Sequence, residues 1–205
     1  MAHRAPFRRV PGAVEPVISA GSVRLVRIVV SGTHASGKST VVSDFSLTHR
    51  RFRVLSDPFD LVDALDPSSA ASFHEQLILS AERLTVLPQH ADVIAERGPL
   101  DFLAYLEALE ALGRATVSRP VLHELRAITA DALGNVDVLA ILPLSGLEGV
   151  WVPDDEDPQL RRSMNERLLD LCDDDEVVGQ TGRIVELTGT PEERLACLTT
   201  HLGRN

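Results

Sequence analysis

The sequence predicts an α/β fold of three layers, with a five-stranded, mostly parallel sheet and helices on both faces. Three observations point there. Short apolar runs alternate with segments whose apolar residues recur at helical spacing. The first run, Leu25-Val26-Arg27-Ile28-Val29-Val30, leads directly into a glycine-containing turn and then a helix-forming segment. Near the other end, Thr190-Pro191-Glu192-Glu193 is a capping box with proline at the first helical position, the mark of a last helix. The chain of 205 residues is long for one small domain and short for two, so residues 23–205 are expected to form a single domain.

Taken in order, strand one is expected over Val23–Val30, and the helix after the turn runs to about Leu47. Phe52-Arg53-Val54-Leu55-Ser56 reads as strand two and stops at Asp57-Pro58. Asp66-Pro67-Ser68-Ser69 has turn and cap chemistry, and the helix that grows from it puts Phe73, Leu77, Ala81 and Leu84 on one face. Ala91-Asp92-Val93-Ile94-Ala95 is strand three, ended by Gly98-Pro99. Phe102, Tyr105, Leu106, Leu109 and Leu112 then recur at helical spacing as far as the stop signal Gly113. Leu122, Leu125, Ile128 and Leu133 mark a further helix closed by Gly134. Val136–Leu142 is strand four, the most apolar, and Arg183–Leu187 is strand five. Between them, Leu160, Met164, Leu168 and Leu171 place a helix inside a strongly acidic segment.

Composition narrows the function classes. The formal net charge of −10 disfavours a nucleic-acid or anionic-membrane surface, which calls for a basic patch. No apolar run is long enough to span a membrane. Two cysteines, Cys172 and Cys197, make no disulfide framework, so a reducing cytoplasm is expected. Residues 1–22 carry Arg4, Arg8, Arg9 and several prolines but no apolar core of signal-peptide length, and read as a flexible arm. The chain's oligomeric state stays open, a homodimer included.

Chemistry enters at the first turn. Gly32-Thr33-His34-Ala35-Ser36-Gly37-Lys38-Ser39, followed by Thr40, is the G-x-x-x-x-G-K-S phosphate-binding P-loop between a strand and a helix. Its glycines allow a tight turn whose N–H groups converge on one concavity, and that concavity opens on a helix N-terminus favourable to phosphate. Lys38 is placed to reach β- and γ-phosphates, and the Ser39 hydroxyl to ligate Mg²⁺. Lys38 is also the only lysine in a chain whose Lys plus Arg total is 20. The pattern predicts binding of a nucleoside triphosphate, with ATP and Mg²⁺ as cofactors.

In open parallel sheets, ligands bind beyond the carboxyl ends of the strands. Strand two ends at Asp57, which reads either as a general base or as a turn-initiating Asp-Pro. Strand three ends at Glu96-Arg97. Glu96 is placed to hold the Mg²⁺ shell or to accept a substrate proton, and Arg97 to clamp a phosphate or a substrate hydroxyl with its planar fork. Asp101 reads first as a helix cap and second as a substrate contact. From Glu148 to Glu176 there are eleven acidic residues and three arginines, for the most part a solvated face. Arg161 and Arg162 are nonetheless candidates for a flexible flap over about residues 146–165 that neutralises charge on a triphosphate; ordinary helix salt bridges are the alternative. Trp151-Val152-Pro153 either shapes that flap or packs it. His34 has no required role within the loop, and no histidine has metal-ligand spacing.

Together these segments resemble the P-loop kinases of nucleosides and nucleoside monophosphates, and look closest to small bacterial AAA-like ATP-binding proteins of the same architecture. The resemblance rests on Ser31–Thr40, Asp57-Pro58 and Glu96-Arg97-Gly98-Pro99-Leu100-Asp101-Phe102-Leu103-Ala104-Tyr105, and its order extends over about residues 23–202. It implies that Glu96 lies near Mg²⁺ and Arg97 on the acceptor, and that Asp57 matches the acid of a Glu-Pro that serves as base. It also implies that the family's arginine flap maps to Arg161-Arg162, and that Gly189, Thr190 and Pro191 border the adenine. Gly98 stands where Ser or Tyr is common in characterised nucleoside and thymidylate kinases, and the strand-two acid is Asp rather than Glu.

The function expected is therefore transfer of the γ-phosphoryl group of Mg·ATP to a small acceptor, a nucleoside, nucleotide or related metabolite. The alternative is an ATPase that switches a protein partner. A Ras-like GTPase is disfavoured, because its Asn-Lys-x-Asp motif needs a second lysine.

Overall fold

The structure is a computed structural model that describes residues 25–61, 68–86, 92–144 and 157–202. The expected arm over 1–22 and the first part of the expected flap, with Trp151-Val152-Pro153, lie outside the described residues. Five strands form one all-parallel sheet in the order β2-β3-β1-β4-β5. They are β1 (Arg27–Gly32), β2 (Arg53–Leu55), β3 (Val93–Glu96), β4 (Val138–Leu142) and β5 (Ile184–Glu186). The helices are α1 (Lys38–Thr48), α2 (Ala70–Thr85), α3 (Pro99–Ala111), α4 (Arg119–Leu133), α5 (Pro158–Cys172), α6 (Asp175–Val178) and α7 (Pro191–Thr200).

Both sheet faces are covered, which is why the central strands are apolar without interruption. Along β1 the side chains alternate as a pleated strand requires. Ile28 and Val30 enter a core with Val41, Val42 and Phe45 of α1 and Leu198 of α7. Val29 enters the opposite core, with Phe73 and Leu77 of α2, Phe102 and Leu106 of α3, and Met164 and Leu168 of α5. β3 and β4 divide in the same way: Ile94, Val138 and Ala140 face the first core, and Ala95, Leu139 and Ile141 the second. The stripe Phe73, Leu77, Ala81 and Leu84 is buried as its spacing predicts.

The differences from expectation have local causes. β1 runs on to Gly32 because its last residues pair with β4, Gly32 opposite Leu142. β3 occupies Val93–Glu96 rather than Ala91–Ala95, so Glu96 is the last strand residue, opposite Val30. β2, β4 and β5 are each shorter than expected at their ends. The one-turn helix α6 has no counterpart among the expected elements; its acidic sequence hides two buried valines, Val177 and Val178. Within the acidic segment, whose described carboxylates are mostly exposed as expected, Asp157 caps α5 and pairs with Arg114, while Asp174 caps α6 and pairs with Arg126. Among the described residues, no helix is long and apolar enough to cross a membrane.

Candidate nucleotide and acceptor site

Chain order reverses around β1, since β3 and β4 flank it from opposite sides. The crevice at its carboxyl end is where a ligand finds room in such sheets. There the chain turns through the P-loop. Ala35 (φ 48°) and Gly37 (φ 89°) both adopt the left-handed region. Ala35 carries a Cβ there at a cost of about 1–2 kcal/mol. Left-handed residues within such a turn swing successive N–H groups towards one side, the arrangement of an anion nest. α1 opens at Lys38 with no side-chain cap and no acidic residue in its first turn, so its leading N–H groups are left for an anion.

Lys38 is buried, and its Nζ donates to the Thr33 carbonyl at 2.6 Å. Burial, followed by the neighbouring positive charge of Arg97, lowers its pKa from 10.5 to about 7. Next to it, the Ser39 hydroxyl donates to Glu96 Oε1 at 2.6 Å. A hydroxyl and a carboxylate oxygen side by side are hard donors of the kind Mg²⁺ takes. This ion is commonly held by one or two carboxylates together with substrate phosphates. Among the described residues there is no self-sufficient cluster of His, Cys, Asp or Glu for a metal. The pair Ser39–Glu96 thus fits an Mg²⁺ that arrives with a nucleotide.

Across the crevice, Arg97 organises a second group. Its backbone is left-handed (φ 63°) and its side chain is buried. Nε donates to Asp57 Oδ2 at 2.8 Å, Nη1 to the Gly32 carbonyl at 3.3 Å, and Nη2 lies 3.4 Å from His34 Nδ1. The guanidinium sits 5.3 Å from the Phe59 ring centre and 5.7 Å from that of Tyr105. Burial opposes its charge, but Tyr105, Asp57 and Asp101 outweigh it and hold its pKa above the ordinary arginine value. Asp57 takes the turn-initiating place expected of an Asp-Pro and also pairs with Arg97. Oδ1 accepts the Phe59 N–H at 3.0 Å and caps a 3-10 turn over Pro58–Asp60, while Oδ2 takes Arg97.

Asp101 is fully buried and is a cap with a long reach. It accepts the Gly98 N–H at 3.0 Å, the Ser31 hydroxyl at 2.7 Å and the Gly32 N–H at 2.8 Å. One carboxylate therefore joins the start of α3 to the last residues of β1. Gly98 has a packing reason for lacking a side chain: a Cβ there would lie 2.8 Å from Val29 Cγ1 in the core. We expect Gly98→Ser to destabilise the chain by about 1–3 kcal/mol, because a stiff buried valine must give way. Urea unfolding of the two proteins measures this, and an unchanged midpoint would refute it.

The expected flap arginines part company. Arg161, on the first turn of α5, donates from Nε to the His34 carbonyl at 3.0 Å and from Nη2 to the Ala35 carbonyl at 3.2 Å. Arg162 is exposed and makes no side-chain hydrogen bond or ion pair to a described residue. Gly189, Thr190 and Pro191 form an exposed turn, and Thr190 and Glu193 close the predicted capping box. Thr40 is exposed on the first turn of α1, and Thr33 and Ser36 are buried in the loop.

Three participants escape a reading of the sequence alone. Tyr105, which reads as core, has its hydroxyl take the His34 N–H at 3.0 Å while its ring stacks on Phe73. A tyrosine on an otherwise apolar helix face needs a partner for its hydroxyl, which is the available signal. Phe59, in the turn after Asp57, packs edge-on to His34 at 5.8 Å. Arg194 on α7 is buried and donates to the Ser36 carbonyl at 3.4 Å. Nothing in its polar neighbourhood, Glu192-Glu193-Arg194, marks it.

The fold is shared with solved structures of nucleoside and nucleotide kinases. Among solved structures, deoxyadenosine kinase from M. mycoides with bound dATP superposes with a TM-score of 0.63 at 12% identity, over 87% of this chain and 100% of that one. Thymidylate kinase from Candida albicans superposes with a TM-score of 0.58 at 18% identity, over 86% and 90% of the respective chains. No protein-family model matches this chain, and no curated protein matches it by sequence.

Proposed function

We propose that this chain is an ATP-dependent phosphotransferase that moves the γ-phosphoryl group of Mg·ATP to a nucleoside, a nucleotide or a related small metabolite. The observation that carries the reading is the meeting, at the carboxyl ends of β1 and β3, of two residue pairs. Ser39–Glu96 stands beside the P-loop and Asp57–Arg97 faces it from the next strand. The first suits a nucleotide-borne metal and the second suits an acceptor. The fold shared with deoxyadenosine and thymidylate kinases supports the same reading.

In the proposed reaction the P-loop N–H groups and Lys38 bind the polyphosphate, and Ser39 and Glu96 hold the cation. Mg²⁺ supplies charge neutralisation on the β- and γ-oxygens. Arg97 orients the acceptor, and Asp57 takes the proton from its attacking hydroxyl. Gly189-Thr190-Pro191 is the proposed border of the adenine. The free cysteines Cys172 and Cys197 accord with a cytoplasmic setting.

The deciding experiment measures ADP release from Mg·ATP with and without a panel of nucleosides, nucleoside monophosphates and related metabolites. The expected result is strong stimulation by one acceptor, with its phosphorylated product recovered. Hydrolysis that depends on Lys38 but on no acceptor would replace this reading with a nucleotide-dependent switch.

A further inference from the structure

Two arginines from different helices hold consecutive carbonyls of the P-loop. Arg161 of α5 takes those of His34 and Ala35, and Arg194 of α7 takes that of Ser36. A trans peptide unit is planar, and its C=O and N–H point in opposite directions. The three carbonyls therefore belong to the same rigid units as the N–H groups of Ala35, Ser36 and Gly37. The N–H groups of Ala35 and Gly37 donate to no described residue. The Ser36 hydroxyl is likewise buried without a partner among the described residues.

We propose that Arg161 and Arg194 are positioning residues that act through these carbonyls, fixing and polarising the N–H groups of Ala35, Ser36 and Gly37 for a bound diphosphate. A cation on each carbonyl strengthens the N–H of the same unit as a donor, because hydrogen bonds in a chain polarise one another. It also holds Ala35 and Gly37 in their left-handed conformations before a ligand arrives. Arg194 meets the loop where it is tightly packed, since a Cβ on Gly37 would lie 2.9 Å from its Nη1. Arg161 thereby has a role different from that of a flap arginine placed over the γ-phosphate.

The inference rests on the P-loop being a nucleotide site, and the test separates the two. Affinities of the full chain for ADP, ATP and inorganic pyrophosphate are measured by calorimetry, with a thermal melt of each protein. The proteins are wild type, Arg161→Ala, Arg161→Lys and Arg194→Lys. Arg161→Ala is expected to weaken all three ligands by a similar factor of about tenfold with an unchanged melt. Arg161→Lys should recover part of this, because an ammonium is a point charge without the fork that serves two carbonyls. Arg194→Lys, which keeps a buried cation, is expected to weaken all three as well. Loss confined to ATP would place Arg161 on the γ-phosphate and overturn the inference, as would unchanged affinities. A wild type that binds none of the three ligands would refute the nucleotide reading itself, and the inference with it.

Discussion

Asp57→Asn is expected to lower the rate of phosphoryl transfer about 10²- to 10⁴-fold, the usual contribution of a positioned proton acceptor. Asparagine keeps a carbonyl oxygen for the Phe59 N–H and so keeps the turn, while Arg97 loses its Asp57 ion pair and retains Asp101 at 3.9 Å. Binding of ATP should then be near that of the wild type, because the Asp57 carboxylate bonds to Phe59 and Arg97 and not to the P-loop itself. Single-turnover kinetics alongside equilibrium binding would separate the two effects. A variant that transfers at the wild-type rate would remove Asp57 from the chemistry and leave it the cap of the 3-10 turn.

Lys38→Ala is expected to reduce transfer about 10²- to 10³-fold, the loss typical of one preorganised donor to developing charge. The position also has a pH signature. With a pKa of about 7 in the folded chain against the ordinary lysine value of 10.5 when unfolded, the unfolded chain binds more protons between those values. Burial of Lys38 therefore lowers stability progressively as pH falls from 10.5 to about 7, and the penalty fades as pH rises through that window. A bound polyphosphate reverses the balance by placing negative charge beside the amine. At pH 8, ATP binding should then take up a proton, seen as a dependence of the binding heat on buffer ionisation enthalpy. The dependence should vanish in Lys38→Ala, and its presence there would assign the proton to another group.

How much can be read in advance follows from how local each feature is. The sheet is legible because strands covered on both faces must be apolar throughout, as Ile28-Val29-Val30 and Val138–Leu142 are. The P-loop is legible because its turn, lysine and hydroxyl are adjacent in sequence. Glu96 and Arg97 are legible as residues at a strand end, whereas the pairing of Arg97 with Asp57, 40 positions away, needs the β2–β3 register to bring it about. Asp101 can be read as a cap of α3 but not as a partner of Ser31 and Gly32, about 70 positions back. Arg194 is illegible for a physical reason. An arginine after two glutamates on an amphipathic helix is ordinarily solvated, and only the packing of α7 on α1 turns it inward. α6 escapes because four residues are too few to show a period.

The reach of Asp101 has a dynamic consequence. By tying β1 to the start of α3 it makes the P-loop and the turn that carries Arg97 one stiff body. The ordering of these groups is then completed when the chain folds and does not have to be repeated at each turnover. α5 belongs to the same body, because Met164 and Leu168 pack into the core beside Phe102 and Leu106 of α3, and its Arg161 carries that rigidity on to the loop.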